Sequence, residues 1–172
     1  SVPHAVTFID DLMADVLEVL DDEYAVFIAG DHGHRMQKRP LSVSIDGIEV
    51  HPAGMSAEIY LDGMGEEEAY ESLVSTPGVR KVFRKRELGQ IHLPSSFDLL
   101  VLAEDGYAFS QSGSVTPSGH GYASFEGPYP PFIAYNLPYG FKRTECSLVD
   151  EAPTVLRALG IDMLGCDGSS LI

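Results

Sequence analysis

Tryptophan is absent, cysteine occurs only twice, and 11 lysines and arginines stand against 26 aspartates and glutamates. Each scarcity removes a class of protein. Cys146 and Cys166 match no CxxC or zinc-ribbon spacing, so neither a disulfide framework nor a cysteine zinc site is expected. Two lone thiols read as small core or surface residues and leave the compartment open. A formal charge of −15 repels the phosphates of a nucleic-acid polymer, which is therefore excluded as a partner. An anionic small substrate would need a local positive centre, which bound divalent cations supply. No apolar run approaches the roughly 18 residues of a membrane span, and no basic-then-apolar leader is read, so a soluble chain with no membrane partner is expected.

What the 172 residues do contain is a globular balance, 44% hydrophobic and 22% charged, sufficient for one domain with a continuous core. Ile9, Leu12, Met13, Val16, Leu17 and Leu20 recur at steps of three and four between acidic residues, which gives an amphipathic helix. After Asp21-Asp22-Glu23, "YAVFIAG" is apolar without alternation and reads as a strand buried on both faces. A helix leading into such a strand points to an α/β layer around a parallel sheet, whose ligands sit beyond the carboxyl ends of strands. "IAGDHGH", residues 28–34, lies at that place.

The middle of the chain has another texture. "SAEIYLDG" reads as a strand and "EEEAYESLVST" as a helix with Ala69, Leu73 and Val74 inward, stopped at Pro77-Gly78. "VRKVF" reads as a strand, its basic surroundings "RKVFRKR" marking a solvated edge rather than an anion site. "FDLLVLAEDGYAFS" reads as two strands joined in a hairpin at Glu104-Asp105-Gly106. Together they form a small α+β unit, about residues 55–110, inserted in the larger layer. Residues 111–131 are rich in Gly, Ser and Pro, and a loop of that length is either functional or disordered. It contains "GHGY". Beyond it, "FIAYN" reads as a buried strand and "SLVDEAPTVLRALGI" as a helix ended by Gly160.

Three residues carry the chemistry that this pattern offers. Asp31 and His32 can face one ion if the backbone turns sharply, which Gly30 and Gly33 permit, and carboxylate oxygen with imidazole nitrogen suits zinc, manganese or iron. His120, between Gly119 and Gly121, is the third. The plain readings stand beside them: Asp31 caps a turn, His34, His51 and His92 are satisfied surface groups, His4 has no role, Asp46-Gly47 and Asp62-Gly63 are turns, and Tyr129 and Tyr135 pack.

"VFIAGDHGH" resembles the strand-plus-DHG element of the alkaline phosphatase superfamily, in particular its type I phosphodiesterase and nucleotide pyrophosphatase branch, with phosphonoacetate hydrolase as a relative. "GHGY" followed by "PPFIAYN" is similar to that family's late histidine before a core strand. "LVDEAPTVLRALGI" and "DGSSL" are similar to its closing helix and tail, and "GVRKVFRKRELGQIHLPSSFDLLVLAEDGYAF" to its inserted region. The four pieces stand in the family's order and cover nearly the whole chain.

The resemblance implies a layered α/β/α core and one domain over residues 1–172 that forms the carboxy-terminal part of a phosphodiesterase-like fold. It also implies metal-dependent hydrolysis of phosphate esters or diesters of a small phosphorylated substrate. Asp31 and His32 would bind one divalent ion and His120 a second, commonly zinc, with manganese or iron as substitutes. Such pairs activate a Thr or Ser nucleophile and stabilise an in-line displacement. Two departures stand out: His34 occupies a position that is often apolar in the family, and Gly30 one that is often small and polar. The family's nucleophile and remaining ligands precede the segments matched here, and Ser110, Ser112, Thr116 and Ser118 lack its context. Two other outcomes are a non-catalytic binding module on the same scaffold and a sheet completed by a second copy or a partner chain.

Overall fold

The apolar spacing near the amino terminus does form a helix, and the elements in chain order are α1 (Val2–Val19), β1 (Val26–Ala29), β2 (Arg35–Met36), β3 (Arg39–Leu41), β4 (Ile48–Ala53), β5 (Ser56–Leu61), α2 (Glu66–Val74), β6 (Val79–Arg84), α3 (Lys85–Leu88), β7 (Leu99–Ala103), β8 (Tyr107–Phe109), β9 (Ser118–Gly119), β10 (Phe132–Tyr135) and α4 (Glu151–Ala158). The computed structural model describes residues 2–20, 23–91, 93, 96–122, 127 and 129–172, so Asp21, Asp22 and His92 lie outside the described residues. The chain divides into two units, Ser1–Gly30 with Pro131–Ile172, and Asp31–Pro130.

In the first unit, β1 pairs antiparallel with β10, Val26 opposite Tyr135 and Ala29 opposite Phe132. The parallel pairing expected from a helix-then-strand order is not made here. Nor is either strand buried on both faces: Ile133 and Tyr135 are about half exposed, because the two strands form a ribbon by themselves. Phe27 stacks on Phe132 at 5.8 Å, and Phe132 on Phe141 at 5.5 Å. α1 buries none of its residues, so its apolar face remains open.

The closing helix is anchored through Asp150. Its carboxylate accepts hydrogen bonds from the amides of Ser147 (2.8 Å) and Ser169 (2.7 Å) and pairs with Arg143 at 2.7 Å. The buried Thr154 hydroxyl donates to the Asp150 carbonyl and accepts from the Leu171 amide, which fixes the tail and buries Leu171. Hydrogen bonding by Ser169 and Ser147 and the charge of Arg143 hold the Asp150 carboxyl below the usual carboxylate range, against the opposing effect of burial.

The second unit is built on a four-stranded antiparallel sheet in the order β4-β5-β7-β6. The central strand β7 is Leu-Leu-Val-Leu-Ala, and every residue of it is buried, as an apolar run without alternation requires. Its Leu99 and Val101 join Ala57 and Ile59 of β5 under Ala69 and Leu73 of α2. Its Leu100 and Leu102 face Phe83, Leu88 and Phe97 on the other side. Burying side chains of this size on both faces supplies roughly 1.5–3 kcal/mol apiece before conformational entropy is subtracted.

β6 is the edge strand that its lysines and arginines imply. A register shift between Val79 and Lys81 precedes Val82 and Phe83, which are adjacent and both buried. Val74 differs from expectation, being half exposed at the end of α2. The hairpin expected at Glu104-Asp105-Gly106 is a turn, with the Tyr107 amide donating to the Glu104 carbonyl. Beyond it, β8 pairs parallel with β3 and not back along β7. Gly47 and Gly63 do turn the chain, at φ +86° and +98°.

Candidate metal centre

All three residues singled out for chemistry fall in the second unit, on two loop segments that bring the rings of His32 and His120 together. The first follows β1 in the chain and runs into β2; the second runs through β9. These two short strands pair antiparallel, Arg35 opposite Gly119 and Met36 opposite Ser118, which sets His34 and His120 at matching ends of the ladder. The rings of His32 and His120 stack with centroids 4.2 Å apart. His34 is the third ring, 5.1 Å from His32 and 6.3 Å from His120, with its Nδ1 3.5 Å from the Ser118 hydroxyl.

The turn at Asp31 is built locally. One carboxylate oxygen accepts from the adjacent backbone amide of His32 at 2.9 Å. The other oxygen lies 3.4 Å from His32 Nε2. His32 Nδ1 is 3.1 Å from the Gly33 carbonyl, an acceptor only, so the ring proton belongs on Nδ1. In the neutral ring Nε2 then turns a lone pair toward a carboxylate oxygen. Two lone pairs in that relation repel unless a cation or a proton lies between them. A histidine that gives its far N–H to a carbonyl while its other nitrogen stays unprotonated is also the arrangement of metal ligands.

The donor chemistry thus fits a divalent ion of the zinc, manganese or iron kind. Among the described residues, no group of three or more His, Cys, Asp or Glu side chains is arranged to enclose one. The Asp31 side chain is 87% exposed, so its charge is open to solvent screening.

The bend that carries His120 is tightly set. Its carbonyl accepts from the Met55 amide at 2.8 Å, at the turn between β4 and β5. Gly54 and Gly121 have φ of +72° and +87°. A Cβ on Gly54 would stand 2.3 Å from the His120 carbonyl oxygen, and one on Gly121 1.9 Å from that of Ala53.

Two further residues, neither marked by any sequence pattern, hold this loop. Gln37 is buried; its backbone N–H donates to the Pro117 carbonyl at 3.0 Å, and its side-chain Oε1 lies 3.3 Å from the Thr116 hydroxyl. Its Nε2 has no hydrogen-bond partner among the described residues, a cost of about 1–3 kcal/mol. Arg35 bonds the Gly127 carbonyl and Asp105, and its guanidinium lies over the Tyr122 ring at 4.9 Å. A single polar residue beside a two-residue strand has no periodicity to reveal it.

The other candidates lie elsewhere. His51 pairs with Glu49 at 2.8 Å on β4 and tilts against Tyr60, and His4 is on α1. Ser110, Ser112 and Ser114 bond one another, while Thr116 bonds the Ser118 carbonyl.

The structure of human ectonucleotide pyrophosphatase/phosphodiesterase 5 superposes on this chain with a TM-score of 0.69 and 21% identity, covering 84% of this chain and 43% of that one. The fold is alkaline-phosphatase-like. The murine enzyme of the same name matches with a TM-score of 0.54 and 18% identity over 64% of this chain and 33% of its own, and an inactive form in complex with AMP matches equally. The chain therefore spans less than half the length of these relatives. A phosphonoacetate hydrolase from Sinorhizobium meliloti matches with a TM-score of 0.49 and 17% identity, covering 64% of this chain and 35% of that one. No protein-family model and no curated protein matches the sequence.

Proposed function

We propose that this chain carries part of a two-metal centre that hydrolyses phosphate esters or diesters of a small phosphorylated substrate, with Asp31, His32 and His120 as its ligands. Asp31 and His32 hold one divalent ion, His120 contributes to a second, and the nucleophile lies outside these residues. The observation that carries the reading is the His32 ring, whose Nδ1 is committed to the Gly33 carbonyl while Nε2 faces the Asp31 carboxylate at 3.4 Å. The likeness in fold to phosphodiesterases supports it.

When bound, divalent ions supply positive charge for the developing phosphoryl oxygens, which a chain of formal charge −15 otherwise lacks. The chain's own residues orient that charge. Gly33 fixes the tautomer of His32, and the His32 amide holds the Asp31 carboxylate in place at 2.9 Å. The Met55 amide holds the carbonyl of His120.

The test is hydrolysis of bis(p-nitrophenyl) phosphate by the full-length protein with zinc or manganese added, in the wild type and in Asp31→Ala and His120→Ala. Each substitution is expected to lower turnover at least about a hundredfold, as the loss of an electrostatic stabiliser does. Undiminished turnover in both variants overturns the reading, and absent turnover in the wild type favours a non-catalytic binding module on the same scaffold.

A further inference from the structure

Resting on the assignment of His120 to the metal centre, we propose that Gln37 is a positioning residue. It forms one jaw of a clamp on the bend Gly119-His120-Gly121, and the turn of the β4–β5 hairpin forms the other. The hairpin side is backbone against backbone: the Met55 amide donates to the His120 carbonyl, and a Cβ on Gly54 or Gly121 would collide with the carbonyl of His120 or of Ala53. Neither side of that contact can give way. The opposite jaw is a side chain. A Cβ built on Gly119 would stand 2.2 Å from Gln37 Nε2, 2.7 Å from its Cδ and 2.8 Å from its Oε1, so the amide plane lies directly on the backbone next to His120.

The Gln37 side chain is confined by burial, the residue being 6% exposed, and its Oε1 lies 3.3 Å from the Thr116 hydroxyl. The Gln37 backbone N–H donates to the Pro117 carbonyl, and the Thr116 hydroxyl near Oε1 lies closer, at 2.8 Å, to the Ser118 carbonyl, all on the segment leading into His120. Space filling alone does not call for glutamine at this position, since its Nε2 is buried without a partner among the described residues and an apolar side chain would avoid that burial. What the amide does provide is a flat, rigidly held surface against which Gly119 lies. Gly119 is not among the glycines with positive φ, and the atoms nearest its missing Cβ all belong to Gln37. Its lack of a side chain is therefore a requirement of Gln37 and not of the backbone.

That dependence can be measured as a double-mutant cycle on the 172-residue chain, using Gln37→Ala, Gly119→Ala and the pair. The readouts are the imidazole resonances of His120 in the metal-free chain and the affinity for zinc alone, with melting temperature recorded beside them. Gln37→Ala and Gly119→Ala are each expected to shift the His120 resonances and weaken zinc binding about 10-fold or more, the usual effect of losing a ligand-orienting partner. The pair is expected to bind zinc no more weakly than Gln37→Ala, because the added methyl enters the space that the amide has left. Losses that multiply in the pair, or His120 resonances unmoved in both single variants, overturn the clamp. If His120→Ala leaves zinc binding unchanged, the metal assignment fails, while the His120 resonances still decide the clamp.

Discussion

The imidazole of His120 stacks on that of His32 at 4.2 Å, although one is held by the β4–β5 turn and the other by the turn at Asp31. The β2–β9 pairing, Arg35 opposite Gly119, ties the two bends to each other.

The central strand and its neighbour carry the second unit. Ile59 is fully buried between β7 and α2, so Ile59→Ala is expected to lower stability by about 2–4 kcal/mol through lost contacts and the cavity left behind. Urea unfolding followed by circular dichroism reads this directly. A loss below about 1 kcal/mol would mean that the sheet is not packed as described.

Gly78 stands at φ +90°, with the ring of Tyr107 3.2 Å and Leu41 3.3 Å from the place a Cβ would take. Gly78→Ala is expected to cost about 1–3 kcal/mol, the penalty for a left-handed residue that bears a side chain, measurable as a lowered melting temperature.

Asp150 sets the acid limit of the first unit. Its carboxyl is depressed by the Ser169 and Ser147 amides and by Arg143, so the stability it provides is present above the unfolded value of roughly 3.9 and is lost as pH falls through the lower folded value. Asp150→Asn is expected to cost about 2 kcal/mol at neutral pH, with the gap from wild type closing below roughly pH 4. Thermal denaturation between pH 2 and pH 7 tests it; a gap constant across that range would show that the charge is not what matters.

Elements whose signal is local were legible in the sequence. Ala69 and Leu73 placed α2, Pro77-Gly78 placed its end, and the apolar run of "FDLLVLAEDGYAFS" placed β7 as a strand, whereas the both-face burial expected of "YAVFIAG" belongs to β7 and not to β1. Partnership between strands was not legible. Tyr107–Phe109 joins Arg39–Leu41 in parallel, and Val26–Ala29 meets Phe132–Tyr135 antiparallel, because pairing depends on contacts distant in sequence that no local pattern encodes. The site divides in the same way. Asp31, His32 and His120 stand out in the sequence as glycine-flanked acid and imidazole groups, and the structure stacks two of them, His32 and His120. Gln37 does not stand out, since its role arises only when Gly119 is laid against it.

Zinc titration of the 172-residue chain, followed by thermal denaturation, tests the convergence of Asp31, His32 and His120 most directly. Zinc at about 100 times its dissociation constant stabilises a binding chain by about 2.7 kcal/mol, so the wild-type melting temperature should rise. Asp31→Ala, His32→Ala and His120→Ala should each lose most of that rise. An equal rise in all four proteins, or none in the wild type, would contradict a shared metal centre.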